Sequence, residues 1–413
     1  MKILHVNTDE SQGGAARAAH RLYAGQRSIG ADARMVVLRK SSKDPNVDAV
    51  PMNRLQRLIR RKTLQNDRPD ATMYPGYHGM VWSTGRISTP VPAFIARTLP
   101  DVVNLHWLGN GFVSVDNISR IQRPVVWTLH DMWAMSGGCH YAGDCERFLT
   151  GCGTCPQLGS SDPRDISFQT WANKQKAWGG LNFTVVTPSR WLADLVRASP
   201  LLHNPRIEVI PNGIDMQIYR PFDMAFARDV MRLPTDKKLI LFGAQQVDDA
   251  RKGLPYLAQA LSQMGDRDNV ELVLFGANHP AIDVGLKAHH VGMVDNDQVL
   301  ALLYSAADVF VAPSVQDNLP NTVMEALACG TPCVAFHIGG MQDMIDHRQS
   351  GYLATPFDAV DLAHGLEWTM ANRAALAGHA RAEAAARYDI GQIAARYVAL
   401  YAEVIGDRAG RRS

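Results

Sequence analysis

Residues 308–333 constrain the fold of this chain most, because a strand, a loop and a helix follow one another there in one short run. Residues 308–312 are apolar and mostly β-branched over the length of a strand, which Pro313 ends. Pro320 suits the first turn of a helix, where no backbone N–H is needed, and Gly330 suits the position just past its end. Such a strand leaves its following loop beyond the carboxyl edge of a parallel sheet, where open α/β sheets bind ligands.

Two carboxylates belong to this stretch. Asp317 lies in the loop, and Glu325 lies eight residues on in the helix, with its side chain directed back towards the first turn. An ionised carboxylate can hold both hydroxyls of a sugar diol, while the N–H groups at a helix start suit a phosphate. The arrangement predicts a clamp for a sugar nucleotide, and a merely solvated helix face is the alternative.

The sequence of this stretch resembles the acid-x7-Glu motif of retaining glycosyltransferases of family 4. Pro-Ser is followed by an acid four residues after the Pro, and Glu-Ala-x-Ala-x-Gly begins eight residues after that acid. The resemblance implies that Glu325 holds the nucleotide ribose and that Asp317, where Glu is commoner, lies beside the donor sugar. It also implies donor contacts from Asn318, Leu319 and Pro320.

Composition bounds the number of domains and the class of partner. A length of 413 residues predicts two or three domains, and 46% hydrophobic residues are ample for packed cores. The formal net charge is only +2, which argues against nucleic acid as a partner. No secretory signal and no apolar stretch of 18 residues is found, so we expect a soluble cytoplasmic chain without a membrane span.

The start of the chain reads as a strand at 2–7, a glycine-containing loop and a helix at about 15–29. A glycine pair after a strand is as often a tight turn as a phosphate loop. The resemblance to family 4 implies a loop that faces the donor phosphates and the acceptor. It places Gly13 and Gly14 on the donor side and Arg17 on the acceptor side.

Two later strands, at 101–105 and 125–129, each end beside a histidine. A histidine at the carboxyl end of a strand can donate to a sugar hydroxyl or a phosphate, although structural histidines are common there too. The His130-Asp131 pair resembles the donor-facing histidine of the family. We therefore place His130 in the site and His106 on its acceptor side.

The insertion at 137–157 contains four of the six cysteines, spaced C-x5-C-x6-C-x2-C: Cys139, Cys145, Cys152 and Cys155. In a cytoplasmic protein such clustering favours a tetrahedral zinc site, and four thiolates leave no open position, so the metal would be structural. Reduced thiols, disulfides and an iron–sulfur cluster are alternatives. The run TLHDMWAMSGGCHY resembles a branch of family 4 linked to exopolysaccharide and colanic-acid-type assembly.

Residues 54–62 hold five basic residues, with Leu55, Leu58 and Ile59 at helical spacing. A basic amphipathic helix can lie on an anionic membrane surface. The alternative is a solvated helix packed through its leucines. Because family 4 enzymes often act on lipid-linked acceptors, the resemblance implies peripheral contact with the inner face of the cytoplasmic membrane.

The second half of the chain restarts the alternation of strands and helices, with strands at 238–243 and 270–275. The run Pro-Asn-Gly-Ile-Asp at 211–215 resembles the family signature at the entry to its second domain. We therefore predict an α/β chain of the GT-B class, with two Rossmann-like domains facing a central cleft and a C-terminal helix that returns to the first domain. The predicted domains are 1–205 with the returning helix 390–413, and 206–389.

Arg251 and Lys252 precede a predicted helix in the second domain. A guanidinium fork beside an ammonium suits a diphosphate. Lys252 matches the Lys-Gly of the family, but Ala244 stands where the family usually has Arg after a Gly. We expect Arg251 to substitute from the other end of the loop.

The resemblance implies retaining transfer of a hexose from a nucleoside diphosphate sugar, of UDP or GDP type, to a saccharide or lipid-linked saccharide in surface polysaccharide biosynthesis. It assigns catalysis to His130, Asp317, Arg251 and Lys252, with no metal cofactor, since fixed cations stabilise the leaving diphosphate. A sugar-nucleotide epimerase and a non-catalytic sugar-nucleotide-binding protein are the alternatives. An epimerase would convert donor without acceptor, and a binding protein would turn nothing over.

Overall fold

The computed structural model describes residues 1–69, 72–77, 80–277 and 285–410. The chain divides into two compact units, called unit 1 (Met1–Ile210 with Ile393–Ser413) and unit 2 (Pro211–Gln392). The boundaries drawn from the sequence, after 205 and after 389, lie five and three residues before these points.

Unit 1 is built on a seven-stranded sheet in which every neighbouring pair of strands is parallel. Its strands are β1 Lys2–Asp9, β2 Asp32–Arg39, β3 Val47–Ala49, β4 Val102–Leu105, β5 Val125–Thr128, β6 Thr184–Thr187 and β7 Arg206–Val209. Its helices up to residue 210 are α1 Gly14–Ser28, α2 Arg54–Thr63, α3 Val91–Thr98, α4 Val115–Ser119, α5 Ile166–Trp178 and α6 Arg190–Ala198. The central strands are buried along their whole length, as helices on both faces of a parallel sheet require.

Unit 2 repeats the design with a six-stranded parallel sheet. Its strands are β8 Lys238–Gln246, β9 Val270–Ala277, β10 Ala288–Gly292, β11 Val309–Ala312, β12 Cys333–Phe336 and β13 Gly351–Ala354. Its helices are α7 Met224–Met231, α8 Leu254–Gln263, α9 Asp297–Ala306, α10 Asn321–Ala328, α11 Ala359–Ala371 and α12 Arg373–Tyr388. The predicted strand–loop–helix at 308–333 is confirmed as β11 and α10, and Gly330 has the positive φ (72°) that a residue past a helix end needs.

Strand order places a topological switch point in each sheet. The order is β3-β2-β1-β4-β5-β6-β7 in unit 1 and β10-β9-β8-β11-β12-β13 in unit 2, so the order reverses between β1 and β4 and between β8 and β11. Open parallel sheets bind ligands outside the carboxyl ends of the strands at this point. The two sheets confirm the predicted pair of Rossmann-like domains.

The last helix, α13 (Ile390–Gly410), packs on unit 1. Tyr397 and Tyr401 belong to one apolar cluster with Ile3 and Tyr23, and the Tyr401 hydroxyl accepts from Asn104 Nδ2 at 2.6 Å. The predicted return of the C-terminal helix to the first domain is therefore confirmed, although residues 411–413 of that prediction lie outside the described residues. Among the helices that the structure describes, none has the length and apolar character needed to cross a membrane.

Candidate functional site

In unit 2 the loops that follow β8 and β11 meet at the switch point. The first ends in a short 3-10 turn, Ala250–Lys252, which the Asp249 carboxylate caps by accepting from the Arg251 N–H at 3.0 Å. The second runs from Pro313 to the start of α10. Val315 N donates to Arg251 O at 2.9 Å and joins the loops. The predicted diphosphate-binding and sugar-binding segments are therefore neighbours within one unit.

Asp317 lies at the centre of this arrangement and is only 5% exposed. Its Oδ2 atom lies 2.7 Å from Lys252 Nζ and 3.1 Å from Arg251 Nη1. Arg251 also donates to Gln316 O at 3.0 Å, while Asp317 Oδ1 accepts from the Asn318 N–H at 3.1 Å. The structure thus brings together the acid and both cations that the sequence assigned to the donor.

The electrostatics of this cluster follow from burial and pairing. Burial alone would raise the pKa of Asp317, but the charges of Lys252 and Arg251 outweigh it and lower that pKa to about 2. Burial lowers the pKa of Lys252, against the opposing effect of Asp317. The carboxylate is therefore ionised at neutral pH, in contact with two groups that can also bind phosphate.

Two glycines allow this close packing. Gly253 has φ of 75°, and a Cβ atom there would lie 1.8 Å from Pro313 O. Gly339 has φ of 51°, and a Cβ atom there would lie 2.2 Å from Asp317 O. Both positions combine a left-handed backbone with contact to another main chain, so only glycine fits. The glycine after Lys252 is thus explained by packing against the loop of Asp317.

Glu325 lies in α10 and is 2% exposed. Its Oε2 atom accepts from the Tyr304 hydroxyl at 2.9 Å, which fixes the carboxylate from the side of α9. Leu319 is buried and Pro320 is the N-cap of α10, so the predicted donor segment leads directly into this helix. The sequence did not indicate Tyr304, because it precedes Glu325 by 21 residues in an ordinary apolar helix.

Two further positions bear on the donor prediction. Asn212, from the Pro-Asn-Gly signature, donates to Asn321 Oδ1 at 3.3 Å and so contacts the first residue of α10. Ala244 is buried and uncharged, and Arg251 brings a guanidinium to Asp317 from the opposite end of the loop. Arg251 therefore lies in the Asp317 cluster, and its substitution for the missing arginine stays a prediction.

In unit 1 three histidines form a ladder across neighbouring strands: His5 lies within β1, His106 directly follows β4 and His130 lies two residues beyond β5. His5 Nδ1 lies 3.0 Å from His106 Nε2, and His106 Nδ1 lies 3.2 Å from His130 Nε2. Neighbouring rings are stacked, with centroids 5.3 and 5.5 Å apart. Gln26 Oε1 closes the other end at 2.9 Å from His5 Nε2.

The ladder changes the prediction for His106. Both ring nitrogens of His106 face other histidines, and the ring is buried. His106 therefore supports His130, whereas the sequence had placed it facing the acceptor. His5 was missed altogether. The signal for it was a polar residue inside a buried apolar strand, but its partner His106 lies 101 residues away and meets it only through the parallel sheet.

Burial keeps the ladder uncharged. It lowers the pKa of His5 to about 4, despite the hydrogen bond that His5 donates to Gln26 Oε1, and the pKa of His130 to about 4, despite nearby Asp131. Burial, with smaller effects from its two neighbours, lowers the pKa of His106 well below its usual value. A neutral imidazole has one donor and one acceptor nitrogen, so the proton position on each ring determines that on the next.

The predicted glycine loop lies at the carboxyl end of β1 in the same unit. Gly13 has φ of 97° and is the N-cap of α1, which begins at Gly14. The backbone N–H of Arg17 closes the first turn by donating to Gly13 O at 2.9 Å. This places the loop beside the switch point between β1 and β4, at the start of a helix that can bind an anion.

Asp131, next to His130, links the ladder to the cysteine insertion. Its Oδ2 atom accepts from Trp107 Nε1 at 2.7 Å and lies 2.6 Å from His140 Nδ1. On its other side, His140 Nε2 lies 3.1 Å from Ser83 Oγ. His140 stands beside Cys139, so the insertion is attached directly to the end of β5.

All six cysteines are free thiols in the structure, so the disulfide alternative finds no support there. The four cysteines of the insertion all line one cavity. In the described part of the chain, the only three potential metal-ligand atoms lying mutually within 4.8 Å belong to Asp346, His379 and Glu383. No three of the four sulfurs therefore approach one another that closely.

Helix α2 does not match the alternative prediction of a solvated helix packed through its leucines. Leu55, Leu58 and Ile59 are 63%, 51% and 52% exposed, so the helix does not pack through them. Arg60 fastens the helix by donating to Asn110 O and Gly111 O at 2.9 and 3.1 Å. The remaining basic side chains and three apolar side chains thus lie together on an exposed helix.

Comparison with known proteins matches both halves of the chain. A family model described as Glycosyltransferase Family 4 matches residues 12–218, half of the chain, and one described as Glycosyl transferases group 1 matches residues 236–372. WcaC of Escherichia coli (strain K12), provisionally named a colanic acid biosynthesis glycosyl transferase, is 29% identical over 269 residues. This match covers 61% of the chain and 64% of WcaC, so the chain spans just under two thirds of that relative.

Two solved structures share the fold over nearly the whole chain. Sucrose-phosphate synthase from Thermosynechococcus elongatus superposes with a TM-score of 0.72 at 19% identity, covering 98% of this chain and 100% of that one. HepE of Anabaena, solved in complex with UDP-glucose, superposes with a TM-score of 0.63 at 19% identity, covering 98% and 100%. The two-domain fold predicted from the sequence is confirmed.

Proposed function

The chain belongs to glycosyltransferase family 4, and from this premise we propose that it transfers a hexose from a nucleoside diphosphate sugar to a saccharide acceptor with retention of configuration. The observation that carries the proposal is the contact of Asp317 with Lys252 and Arg251 at the switch point of unit 2. An acid suited to sugar hydroxyls and two cations suited to a diphosphate are joined there.

The contacts of Asp317 with Lys252 and Arg251 suggest how the donor is recognised. A diphosphate carries more negative charge than one carboxylate, so it draws Lys252 and Arg251 away from Asp317. Asp317 then has oxygens available for the hydroxyls of the sugar. Glu325, held by Tyr304, takes the ribose, and the N-terminus of α10 adds backbone N–H groups for phosphate.

The proposed transfer reaction follows from this placement of the side chains around the donor. An acceptor hydroxyl oxygen bonds to the anomeric carbon, the bond from that carbon to the phosphate oxygen breaks, and the hydroxyl proton goes to the departing phosphate on the same face. Lys252 and Arg251 stabilise the charge that develops on the leaving diphosphate, so no divalent metal is required. In this proposal His130, held neutral by its ladder, positions the sugar by a hydrogen bond.

Partners follow from the relatives. The complex of HepE with UDP-glucose favours a UDP sugar as the first donor to test, ahead of a GDP sugar. The provisional name of WcaC favours a saccharide or lipid-linked saccharide of a surface polysaccharide as acceptor. Neither the donor nor the acceptor follows from family membership alone.

The exposed helix α2 supports a peripheral position at the inner face of the cytoplasmic membrane. Basic residues attract anionic lipid, and Leu55, Leu58 and Ile59 can enter the headgroup region. Arg60 is unsuited to a test, because it holds the helix to the 110–111 backbone. We expect Arg54→Gln/Arg57→Gln/Arg61→Gln to abolish sedimentation with anionic vesicles. Unchanged sedimentation of this variant would rule out the membrane proposal.

The decisive experiment is calorimetry with UDP, GDP and ADP sugars on the wild type and on Glu325→Ala, followed by turnover assays with and without saccharide acceptors in the presence of a chelator. The proposal predicts selective donor binding that the variant loses, and product formation that needs acceptor but no metal. Donor conversion without acceptor would indicate an epimerase. Binding without turnover for any acceptor would indicate a non-catalytic binding protein.

A further inference from the structure

The segment between Gly137 and Leu158 in unit 1 has little regular structure to hold it. Within it the structure shows two short 3-10 turns, Arg147–Leu149 and Pro156–Leu158, and an isolated β-bridge between Cys139 and Trp82. Long irregular segments in compact domains usually have a function or an added restraint. This segment follows the end of β5 and reaches His130 through Asp131 and His140, so its stability bears on the position of the ladder.

All four thiols of the segment line a single cavity of about 20 Å³, which has room for one water-sized occupant. The remaining walls are mainly apolar and include Trp82, Ala142 and Phe148. Among the lining side chains, cysteine sulfur is the most numerous potential metal ligand. Four cysteine sulfurs around one small space match the donor set of a structural zinc site.

The backbone packs closely against the thiols. A Cβ atom on Gly137 would lie 2.8 Å from the Cys152 Cβ, so glycine allows this approach.

Lys174 supplies an independent observation. Its side chain is fully buried, and its Nζ atom donates to Trp133 O and, at 2.9 Å, to Ser136 O. The ammonium also lies 3.8 Å from the centre of the Trp133 ring. Within the described residues no carboxylate forms a salt bridge with it, and burial lowers the pKa of Lys174 to about 7 against smaller opposing effects of Cys139, Cys152 and Asp131.

A buried ammonium needs a nearby negative charge, and four thiolates around Zn²⁺ carry a net charge of about −2. We propose that Cys139, Cys145, Cys152 and Cys155 bind one Zn²⁺ and that Lys174 balances the charge of the filled site. On binding, each thiol releases its proton to solvent and forms a Zn–S bond.

The sulfurs close in on the metal when it binds. At Zn–S bonds of about 2.3 Å, tetrahedral sulfurs lie about 3.8 Å apart, whereas no three of the four lie within 4.8 Å of one another here. The competing cluster of Asp346, His379 and Glu383 is already occupied by a cation, since Arg387 pairs with both of its carboxylates.

The test is metal analysis of protein purified without added metal or chelator. We expect about one zinc per chain, retained on dialysis, and tetrahedral thiolate absorption bands after exchange for Co²⁺. Cys152→Ser/Cys155→Ser should lose the metal, whereas Cys329→Ser, which removes a buried thiol of unit 2, should keep it. Folded wild type without zinc, or with iron in its place, would overturn the proposal.

Two measurements keep the test decisive where the double variant fails to fold. Titration of the wild type with an organomercurial should release zinc as four thiols react, and free reaction of these thiols without zinc release counts against the site. Lys174→Met should lose zinc to a chelator with an affinity about ten- to a hundredfold weaker, as for other groups that support metal ligands. Equal affinity in Lys174→Met would remove Lys174 from the proposal.

Discussion

Lys252 Nζ lies 2.7 Å from Asp317 Oδ2, and this contact joins two segments 65 residues apart in unit 2. In the function proposed above, each group serves a different part of a sugar nucleotide, and in the structure they neutralise each other. The pair keeps a buried carboxylate and a partly buried ammonium compatible with a stable fold. Under this proposal, donor binding exchanges one anion for another at Lys252.

Removal of the ammonium should affect turnover more than donor affinity, because its effect is greatest when the leaving diphosphate gains charge. We expect Lys252→Ala to lower kcat about 10²–10³-fold, as loss of one transition-state donor does in other enzymes. Lys252→Arg should recover part of the loss. Steady-state kinetics with a UDP sugar measures this, with Lys237→Ala as the control on a partly exposed lysine of the same unit. An unchanged kcat in Lys252→Ala would exclude the proposed role.

The hydroxyl of Tyr304 should support donor binding through Glu325. Tyr304→Phe keeps the buried ring but removes the hydrogen bond to Glu325 Oε2, so donor binding should weaken by about 1 kcal/mol, roughly fivefold in Kd. Glu325→Gln should weaken it more, by about 1.5–3 kcal/mol, since a charged acceptor is lost. Calorimetry measures both. Wild-type affinity in the two variants would mean that the ribose binds elsewhere.

The histidine ladder should make unit 1 sensitive to acid. Burial lowers the pKa of His5 from 6.5 to about 4, so below pH 6.5 the unfolded chain takes up a proton that the folded chain does not. The free energy of unfolding should therefore fall, by about 1.4 kcal/mol per pH unit for each such histidine, as pH decreases from 6.5 towards 4. His5→Gln should flatten this slope.

Urea unfolding followed by tryptophan emission measures the slope, because seven of the eight tryptophans lie in unit 1. His203→Gln, which removes an exposed histidine of the same unit, is the matched control. A wild-type slope in His5→Gln would show that burial of His5 does not hold it neutral.

Two glycines of unit 2 should respond in opposite directions to alanine. Gly253→Ala introduces a Cβ atom 1.8 Å from Pro313 O at a left-handed residue, and we expect it to cost at least about 2–3 kcal/mol of stability. Gly378→Ala lies inside α12 with open space around its Cβ position and should stabilise by about 0.5–1 kcal/mol. Denaturant unfolding measures both. Equal effects would mean that the contact between the loops is looser than described.

Local signals in the sequence were sufficient to predict the strand–loop–helix at 308–333 and the two α/β units. Apolar runs of strand length, with proline and glycine at their ends, depend on neighbours within a few residues. Asp317 and Lys252 were also predicted as parts of one site, on the resemblance to family 4, and the structure places both after strands whose carboxyl ends meet at one edge of a parallel sheet.

Contacts made through the sheet or between helices were not predictable in this way. His5 joins His106 only because β1 pairs with β4, and Tyr304 meets Glu325 only because α9 packs beside α10. The exposure of Leu55 and Leu58 depended on what else covers α2, which periodicity cannot tell. Sequence patterns thus located the charged groups of the site but not the side chains that orient them.

The attachment of α13 to unit 1 has a consequence for biosynthesis. Ile3 and Tyr23 share an apolar face with Tyr397 and Tyr401. While only the first half of the chain has been synthesised, this face stays uncovered. Unit 2 can complete its own core first, because its residues, Pro211–Gln392, are contiguous in the chain. The domain made first is therefore the one completed last, and until α13 has been synthesised its uncovered face is a target for chaperones and for premature association.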